Sequence, residues 1–293
     1  MSTRLVWLIT GTSSGLGRDF ALAALKRGDK VIATARGRSM AKLKDLEERG
    51  ADVMELDVTA PFPDLQAIAT KALAIHGTVD VVVNNAGYVE FGSIEESTPE
   101  ETLAQFNTNV FGLLNVTRVF LPHMRSRKAG TVVFIGSMRG WITSAGNGLY
   151  AASKHAVRAL ADSLAEEVSP FGIRVLNIEP GYFRTPILQP GTHPAYEARI
   201  PAYRPIIGPI SDFLQAADGH QAGDPARAAQ VLVELVHGEG VAEGKALPVT
   251  IGLGTDYYEE VKAFAEQSLK RIENWGAVSK STDFPQTSRQ LEG

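Results

Sequence analysis

The sequence predicts an α/β protein built on a doubly wound parallel sheet, in a single domain that ends in a C-terminal extension. Up to about residue 180, short runs rich in β-branched residues alternate with longer helical patterns, as in repeated βα units. Most of the short runs are apolar almost without interruption, as expected for strands covered by helices on both faces. A glycine-rich turn joins the first run directly to the first helical pattern, and a length of 293 residues suits one such domain.

Strands and helices are predicted in turn along the chain. The strands lie at 5–10, 30–35, 52–56, 79–84, 131–137, 174–179 and 246–251. The helices lie at 16–27, 39–49, 65–76, 100–127 and 150–169, after Pro225, and at 255–274. Six prolines between residues 186 and 223 predict an irregular segment with short helices at most, which we expect to cap the substrate. Beyond the last helix, the polar tail to residue 293 is expected to fray.

Composition and charge exclude several functions. With 29 Lys and Arg against 33 Asp and Glu, the net charge of -4 offers no broad basic field for nucleic acid or anionic lipid. The absence of cysteine excludes disulfides, thiolate zinc sites and a cysteine nucleophile, and favours a cytoplasmic location. No apolar stretch approaches the ~18 residues of a transmembrane helix, and the run at 5–9 is too short for a signal peptide. The six histidines lack the spacing of a metal site, so no metal is expected.

The turn after the first strand, which reads TGTSSGLG from Thr10, is the first candidate ligand site. Its glycines permit a tight turn and let the backbone approach a pyrophosphate at the helix N-terminus, as in Rossmann-like folds. The spacing is GxxxGxG rather than GxGxxG, and a plain βα turn is the alternative. The cofactor contacts predicted here are Gly11, Ser13, Ser14, Gly15, Leu16 and Gly17.

Polar residues follow the third and fourth strands, at the edge where open sheets bind ligands. Asp57 and Val58 come after the third strand, and Asn85, Ala86 and Gly87 come after the fourth. Asp and Asn also cap helices and stabilise turns without a ligand, so each of these turns could be structural. Together with the glycine turn, they are candidates for further cofactor contacts.

The pattern that decides the chemistry lies at the end of the fifth strand and the start of the next helix. Ser137 ends the strand, and Tyr150 and Lys154 stand four residues apart, so that one helical face presents both. A phenol with a reference pKa of ~10 is a poor base at neutral pH, but an adjacent ammonium moves its pKa toward the working range. Ser137 can donate a hydrogen bond to a carbonyl oxygen that gains negative charge as hydride arrives.

These motifs, together with Asn109 and the pair Pro180-Gly181, occur in the order and spacing of the short-chain dehydrogenase/reductase family, which residues 5 to about 185 resemble. The resemblance implies a catalytic tetrad of Asn109, Ser137, Tyr150 and Lys154. In it, Asn109 positions Lys154 and a water that links to solvent. Taken singly, the tetrad residues have structural alternatives, because such residues also form surface pairs and caps.

The same resemblance implies cofactor contacts along the whole edge of the sheet. Asp57 contacts the adenine, and residues 85–87 pack along the cofactor. The nicotinamide end is held by Pro180, Gly181 and Thr185, with Tyr150 and Lys154 beside it.

The reaction that follows is reversible hydride transfer between the nicotinamide C4 and a ketone or secondary alcohol. In the direction of reduction, Tyr150 gives the proton and is refilled through Lys154. The expected pocket lining is Met138, Trp141, Phe183 and parts of 186–220. This lining suggests a bulky apolar substrate. The proline-rich segment and the C-terminal helix resemble those of hydroxysteroid or retinol dehydrogenases only distantly. The alternatives are an epimerase or dehydratase of the same family, and a non-catalytic dinucleotide sensor.

The end of the second strand predicts the choice of cofactor. Ala35 stands where a dehydrogenase that prefers NAD normally offers an acidic residue to the ribose hydroxyls. Arg36 can present its guanidinium to a 2′-phosphate, with Ser14 adding a hydroxyl, so NADP(H) is expected to be preferred over NAD(H). The alternative is that Arg36 and Arg38 merely begin a solvated loop.

The association of the chain is also predicted. The helices at 100–127 and 150–169 resemble those by which family members pair about a two-fold axis, which predicts a homodimer or homotetramer. The terminal helix is a candidate for a second interface.

Overall fold

A seven-stranded parallel sheet forms the centre of the computed structural model, which describes residues 4–189 and 196–284. Its strands are β1 Val6–Ile9, β2 Lys30–Ala35, β3 Asp52–Glu55, β4 Val81–Asn84, β5 Gly130–Ile135, β6 Ile173–Pro180 and β7 Thr250–Leu253. They pair in the order β3-β2-β1-β4-β5-β6-β7. The change of direction between β1 and β4 is the switch point of a doubly wound sheet, and the predicted fold class is confirmed.

Helices connect the strands and follow the last of them. The α-helices are α1 Gly15–Arg27, α2 Lys44–Glu48, α3 Phe62–His76, α4 Pro99–Phe106, α5 Leu113–Arg127, α6 Gly148–Val168, α7 Arg204–Ala216, α8 Pro225–His237, α9 Thr255–Asn274 and α10 Gly276–Lys280. The helix predicted at 39–49 begins as a 3-10 helix, Gly37–Leu43, and the one predicted at 100–127 is α4 and α5 joined by a π-helical turn, Asn107–Gly112. Among the described residues, no helix is both long and apolar enough to cross a membrane.

The predicted cap segment, 186–223, differs from expectation. The prediction of short helices at most is wrong, because α7 runs for 13 residues within this segment. Pro205 lies in the first turn, where its missing amide has no helical partner to lose. Pro209 lies inside the helix, but one face of α7 is buried at helical spacing by Ile207, Ser211 and Leu214. Burial of this face outweighs the disruption that Pro209 causes.

Parts of two predictions lie outside the described residues. They are residues 190–195 of the cap segment and residues 285–293 of the terminal tail.

Hydrophobic layers cover both faces of the sheet and explain why the strands are continuously apolar. In β4, Val81 and Val83 belong to the layer that contains Phe20 of α1, whereas Val82 belongs to the layer that contains Phe120 of α5. Successive residues of a strand point to opposite faces, so a strand between two helical layers needs apolar residues at every position.

The carboxyl ends of the parallel strands lie along one edge of the sheet. At this edge β1 leads into the glycine turn, β4 into Asn85 and β5 into Ser137, and β6 ends at Pro180. Open α/β sheets bind their ligands outside these ends, near the switch point. The fold therefore brings the motifs found in the sequence to one side of the molecule.

A buried carboxylate ties the opposite edge together. Asp29, between α1 and β2, accepts hydrogen bonds from Trp7 Nε1 at 2.9 Å and Leu5 N at 3.1 Å. Its other contact is His237 Nε2, at 2.7 Å, on the last residue of α8. Asp29 is only 4% exposed, so water cannot readily replace it as the partner of these groups.

We expect Asp29→Ala to lower the free energy of unfolding by roughly 3–5 kcal/mol, because it leaves three buried polar groups without their acceptor. Urea unfolding followed by circular dichroism measures the loss. Glu48→Ala is the control, since it removes only an exposed pairing with Lys44 and should cost nothing measurable. Equal unfolding midpoints for the two variants would contradict the structural role of Asp29.

Candidate active site

The glycine turn is held in place by residues that follow β4. Asn85 Nδ2 donates to the carbonyl oxygens of Thr10 and Gly11 at 2.8 and 3.1 Å. In return, the Thr10 hydroxyl accepts from the Asn85 backbone amide at 2.9 Å. A β carbon on Gly17 would lie 2.2 Å from Asn85 Nδ2, and Gly11 has a φ of +71°. Asn85, predicted to lie along the cofactor, therefore shapes the turn itself.

A cavity of about 550 Å³ opens beside the start of α1. It brings together the predicted cofactor residues Ser13, Ser14, Gly15 and Thr185. Its remaining lining is Arg18, Asp19, Lys42, Asp45, Arg184, Pro186 and Pro225. Three of these residues are basic and were not predicted, because each reaches the cavity from a different part of the chain. Arg18 pairs there with Asp45, and Arg184 donates to the Gln221 carbonyl oxygen at 3.0 and 3.2 Å.

The side of the cleft predicted to hold the adenosine contains Arg36 and Asp57. Arg36 is exposed directly after β2. The Asp57 carboxylate accepts from the Thr59 amide and hydroxyl at 2.9 and 2.7 Å, so it forms the local turn that was the alternative to a cofactor contact. Val58 is buried, and its carbonyl oxygen lies 2.8 Å from where Gly112 would carry a β carbon.

Three of the predicted catalytic residues meet at the end of β5. The Ser137 hydroxyl lies close to the Tyr150 phenol and acts to lower its pKa. Ser137 Oγ also accepts from the Arg139 amide at 3.1 Å, which begins a short 3-10 turn. The Lys154 ammonium is buried and donates to the Ile135 carbonyl oxygen at 2.7 Å. It lies 5.7 Å from the centre of the Tyr150 ring.

Asn109 occupies the π-helical turn between α4 and α5. Its side chain is buried, donates to the Tyr88 carbonyl oxygen at 3.0 Å and accepts from the Tyr88 amide at 3.1 Å. It also donates to Ser153 Oγ at 3.1 Å, and Ser153 in turn donates to the Tyr150 carbonyl oxygen at 2.7 Å. Asn109 is therefore not a cap, and it contacts the turn of α6 that carries Tyr150 and Lys154.

The electrostatics of the site follow mainly from burial. Burial lowers the pKa of Lys154 to about 8, with the Glu179 carboxylate acting in the opposite direction. Burial raises the pKa of the Tyr150 phenol, against the hydrogen bond with Ser137 and the charge of Arg139. The expectation that the Lys154 ammonium moves the Tyr150 pKa downward is not met, because desolvation dominates.

The loop after β6 is fastened by the start of α9. Gly181 N donates to the Leu253 carbonyl oxygen at 2.8 Å, and Tyr182 N donates to Asp256 Oδ2 at 2.5 Å. A β carbon on Gly181 would lie 2.2 Å from Asp256 Oδ1, so a larger residue here would displace the Asp256 carboxylate. The predicted nicotinamide residues of this loop, Pro180 and Gly181, thus depend on the C-terminal extension.

Two of the three predicted substrate residues are packed into the protein. Met138 is 2% exposed and Phe183 is 9% exposed. Trp141 is partly exposed, its Nε1 donates to Glu179 Oε2 at 2.7 Å, and the Arg158 guanidinium lies 3.1 Å from its ring centre. Met138 and Phe183 therefore pack behind the surface of the site, and Trp141 is the one of the three that is partly open to solvent.

The cap segment, 186–223, is attached to the stretch of chain that follows Asn85-Ala86-Gly87. Glu96 Oε2 accepts from the Tyr196 hydroxyl at 2.6 Å, and Glu96 Oε1 accepts from the Ile200 amide at 2.9 Å. Tyr203 donates to Glu95, and Arg199 pairs with Glu101. The hydrogen bonds from Ile200, Tyr196 and Ser93 hold the pKa of Glu96 at about 2, in spite of its burial. These contacts hold the cap segment beside the residues that precede α6, where Ile207 lies against Gly146.

The comparisons with known proteins agree with this geometry. A family model described as short chain dehydrogenase matches residues 5–194. The chain belongs to the short-chain dehydrogenase/reductase family. It is 33% identical over 279 residues to the oxidoreductase BOA17 of Botryotinia fuckeliana, which covers 94% of this chain and 97% of that protein. The family predicted from the motifs is confirmed.

Solved structures of short-chain dehydrogenases share the fold. One from Streptomyces avermitilis has a TM-score of 0.85 at 38% identity, covering 97% of this chain and 100% of that one. A family member from Burkholderia phymatum in complex with NAD has a TM-score of 0.75 at 25% identity, covering 89% and 92%. A metagenomic short-chain oxidoreductase in complex with NADP has a TM-score of 0.65 at 26% identity, covering 86% and 98%.

We expect Glu96→Gln to loosen the cap, because the partners of the Glu96 carboxylate are all donors and an amide NH₂ must face one of them. Hydrogen exchange at pH 7 should accelerate in residues 196–203 and stay unchanged in β4 and β5. The pKa of about 2 lies below the usual value, so the stabilisation is present above about pH 4 and is lost as the pH falls toward 2.

Glu95→Gln is the control, since its main contact is an exposed one with Tyr203. Exchange that accelerates equally in both variants, or in neither, would show that Glu96 does not hold the cap.

Proposed function

We propose that this short-chain dehydrogenase/reductase transfers hydride between NADP(H) and a bulky apolar ketone or the corresponding secondary alcohol. The observation that carries the proposal is the meeting of Ser137, Tyr150 and Lys154 at the sheet edge that also bears the glycine turn. A hydroxyl, a phenol and an ammonium in this order can bind a carbonyl oxygen and deliver a proton to it.

The glycine turn fits a dinucleotide. Ser14 precedes α1 without capping it through its side chain, so the first amides of the helix can serve an anion. The adjoining cavity carries the basic residues Arg18, Lys42 and Arg184. Ser13, Ser14 and Gly15 would hold the pyrophosphate, with Thr185 opposite them. When bound, the nicotinamide supplies or accepts the hydride.

The pKa values suit the proton transfer of a reduction. The raised pKa of Tyr150 keeps its phenol protonated at neutral pH, which is the form that can donate to the carbonyl oxygen. Lys154, with a pKa of about 8, is mainly an ammonium at pH 7 and can return a proton toward Tyr150. Ser137 shares the oxygen with Tyr150, and Asn109 orients this turn of α6 through Ser153.

The proposed preference for NADP(H) rests on the last residue of β2 and the residue that follows it. Ala35 offers no carboxylate that would repel a 2′-phosphate, and the exposed Arg36 stands next to it. A guanidinium binds phosphate oxygens in a bidentate geometry that an ammonium cannot match. These two residues support the proposed preference.

Apolar side chains near the start of α6 support a bulky apolar substrate. Ile94 is 75% exposed, and its side chain lies 3.3 Å from where Gly148, two residues before Tyr150, would carry a β carbon. Ile207 of α7 reaches the neighbouring Gly146, and α7 exposes Phe213. An exposed apolar side chain beside a reacting site, as Ile94 is, is typical of a pocket for a hydrophobic ligand.

We expect Tyr150→Phe to reduce turnover by at least ~100-fold while NADPH binding survives, because only the proton-donating hydroxyl is removed. NADPH consumption at 340 nm with a panel of bulky ketones measures turnover, and fluorescence titration measures binding. Tyr258→Phe is the control, since Tyr258 is exposed on α9 and should retain full activity. If Tyr150→Phe kept turnover within tenfold of the wild type, Tyr150 would not be the proton donor of the reaction.

We expect the wild type to prefer NADPH over NADH by roughly tenfold to a hundredfold in kcat/KM, as for one charge-assisted contact. Arg36→Ala should remove most of this preference by weakening NADPH alone. Arg38→Ala, an exposed arginine two residues further on, should keep it. Equal use of both cofactors by the wild type, or an unchanged ratio in Arg36→Ala, would exclude Arg36 as the phosphate ligand.

A further inference from the structure

A buried carboxylate without a role in the proposed mechanism lies next to the active site. Glu179 is the last residue but one of β6, directly before the Pro180-Gly181 loop, and is 0% exposed. Its Oε2 accepts from Trp141 Nε1 at 2.7 Å and from the Tyr257 hydroxyl at 3.0 Å. Its Oε1 accepts from Asn177 Nδ2 at 2.9 Å.

The partners of Glu179 join separate parts of the active site. Trp141 follows the 3-10 turn that Ser137 begins, and Tyr257 belongs to the first turn of α9. Its neighbour Asp256 holds the amide of Tyr182, so two adjacent residues of α9 reach the loop after β6. Glu179 therefore connects the C-terminal extension, through Tyr257, to the turn after Ser137, through Trp141.

The hydrogen-bond partners of Glu179 suit its ionised form. Trp141 and Asn177 donate N–H groups to Glu179. An ionised carboxylate can accept from both through its two oxygens, whereas a protonated carboxyl has less acceptor capacity. Burial raises the pKa of Glu179 above its ordinary value, although the three hydrogen bonds and the positive charge of Arg158 oppose that rise. Arg158 lies one helical turn beyond Lys154 and stacks on the Trp141 ring.

The charge of Glu179 acts on Lys154. It opposes the lowering of the Lys154 pKa by burial. The two residues are close in space, because a β carbon on Gly140 would lie 3.1 Å from the Lys154 carbonyl oxygen and 3.3 Å from Glu179 Oε1. The charged and titratable groups that face this pair are Tyr150 and Arg158 on α6 and Tyr257 on α9, with Arg139 and Tyr182 facing Tyr150.

We propose that Glu179 is a positioning residue of the active site: its carboxylate fixes the Trp141 indole and the start of α9, and its negative charge favours the ammonium form of Lys154. The kinetic part of this inference rests on the proposed function, in which Lys154 returns a proton to Tyr150. Its electrostatic part concerns Lys154 alone and can be measured without a substrate.

Glu179→Gln removes the charge and keeps the shape. The new amide can still accept from Trp141 and Tyr257 through its oxygen, and Asn177 can turn over to accept from its NH₂, because Asn177 Oδ1 has no hydrogen-bond partner in the structure. The substitution thus tests the charge with little change in packing.

The experiment follows the ionisation of Lys154 by NMR of the lysine side-chain ¹³Cε and ¹⁵Nζ nuclei, with the signal assigned by its loss in Lys154→Met. In the wild type the midpoint should lie near pH 8. In Glu179→Gln it should fall by roughly half a pH unit or more, because a lysine that loses an opposing charge gives up its proton at lower pH. The basic limb of kcat/KM for carbonyl reduction should move the same way.

Tyr257→Phe is the matched control, since it removes one hydrogen bond to Glu179 and keeps the charge. Its Lys154 midpoint should stay within ~0.2 pH units of the wild type. An unmoved midpoint in Glu179→Gln, or an equal shift in Tyr257→Phe, would overturn the proposal. A shifted midpoint with an unshifted kinetic limb would uphold the electrostatic role and count against the proposed function instead.

If Glu179→Gln does not fold, Glu179→Met combined with Trp141→Phe and Tyr257→Phe provides the second test. This triple variant removes the charge together with two of its three donors, and the third, Asn177 Nδ2, keeps its bond to the Thr250 hydroxyl. The Lys154 midpoint should again fall, and a midpoint at the wild-type value would overturn the proposal.

Discussion

Parallel pairing of the strands is the constraint on which the rest of the structure depends. It gathers the carboxyl ends of the strands at one edge, so that the glycine turn, Ser137 and the Pro180 loop become neighbours although they are far apart in sequence. It also requires helices on both faces, and those helices carry Tyr150 and Lys154 to the same edge. The mutual hydrogen bonds of Thr10 and Asn85 then lock the turns after β1 and β4 to each other across the switch point.

Much of the fold was predictable because local and tertiary signals agree in it. The bounds of β2 and α9 match the prediction, since an uninterrupted apolar run and an amphipathic repeat each define one element without ambiguity. The spacing of Tyr150 and Lys154 was equally informative, because four residues on a helix place two side chains on one face. In these places sequence distance translates directly into spatial distance.

What could not be predicted depends on contacts between distant residues. Prolines dominate the sequence of the cap, and only the burial of Ile207 and Leu214 shows why α7 forms. The sequence offers Asn85 as a cofactor contact, but only the structure shows that its side chain also holds the glycine turn. The pKa of Tyr150 moves upward because the surrounding protein excludes water, a property that no pair of residues reveals.

The two ends of the cap are fastened in different ways. Near residues 196–203 the attachments are carboxylate contacts with Glu95, Glu96 and Glu101, whereas at the far end Phe183 forms a backbone bridge with Gly223. None of these attachments involves the glycine turn or the tetrad. The cap side chains between these attachments can therefore vary to admit different molecules with little effect on the glycine turn or on the residues of the proposed proton relay.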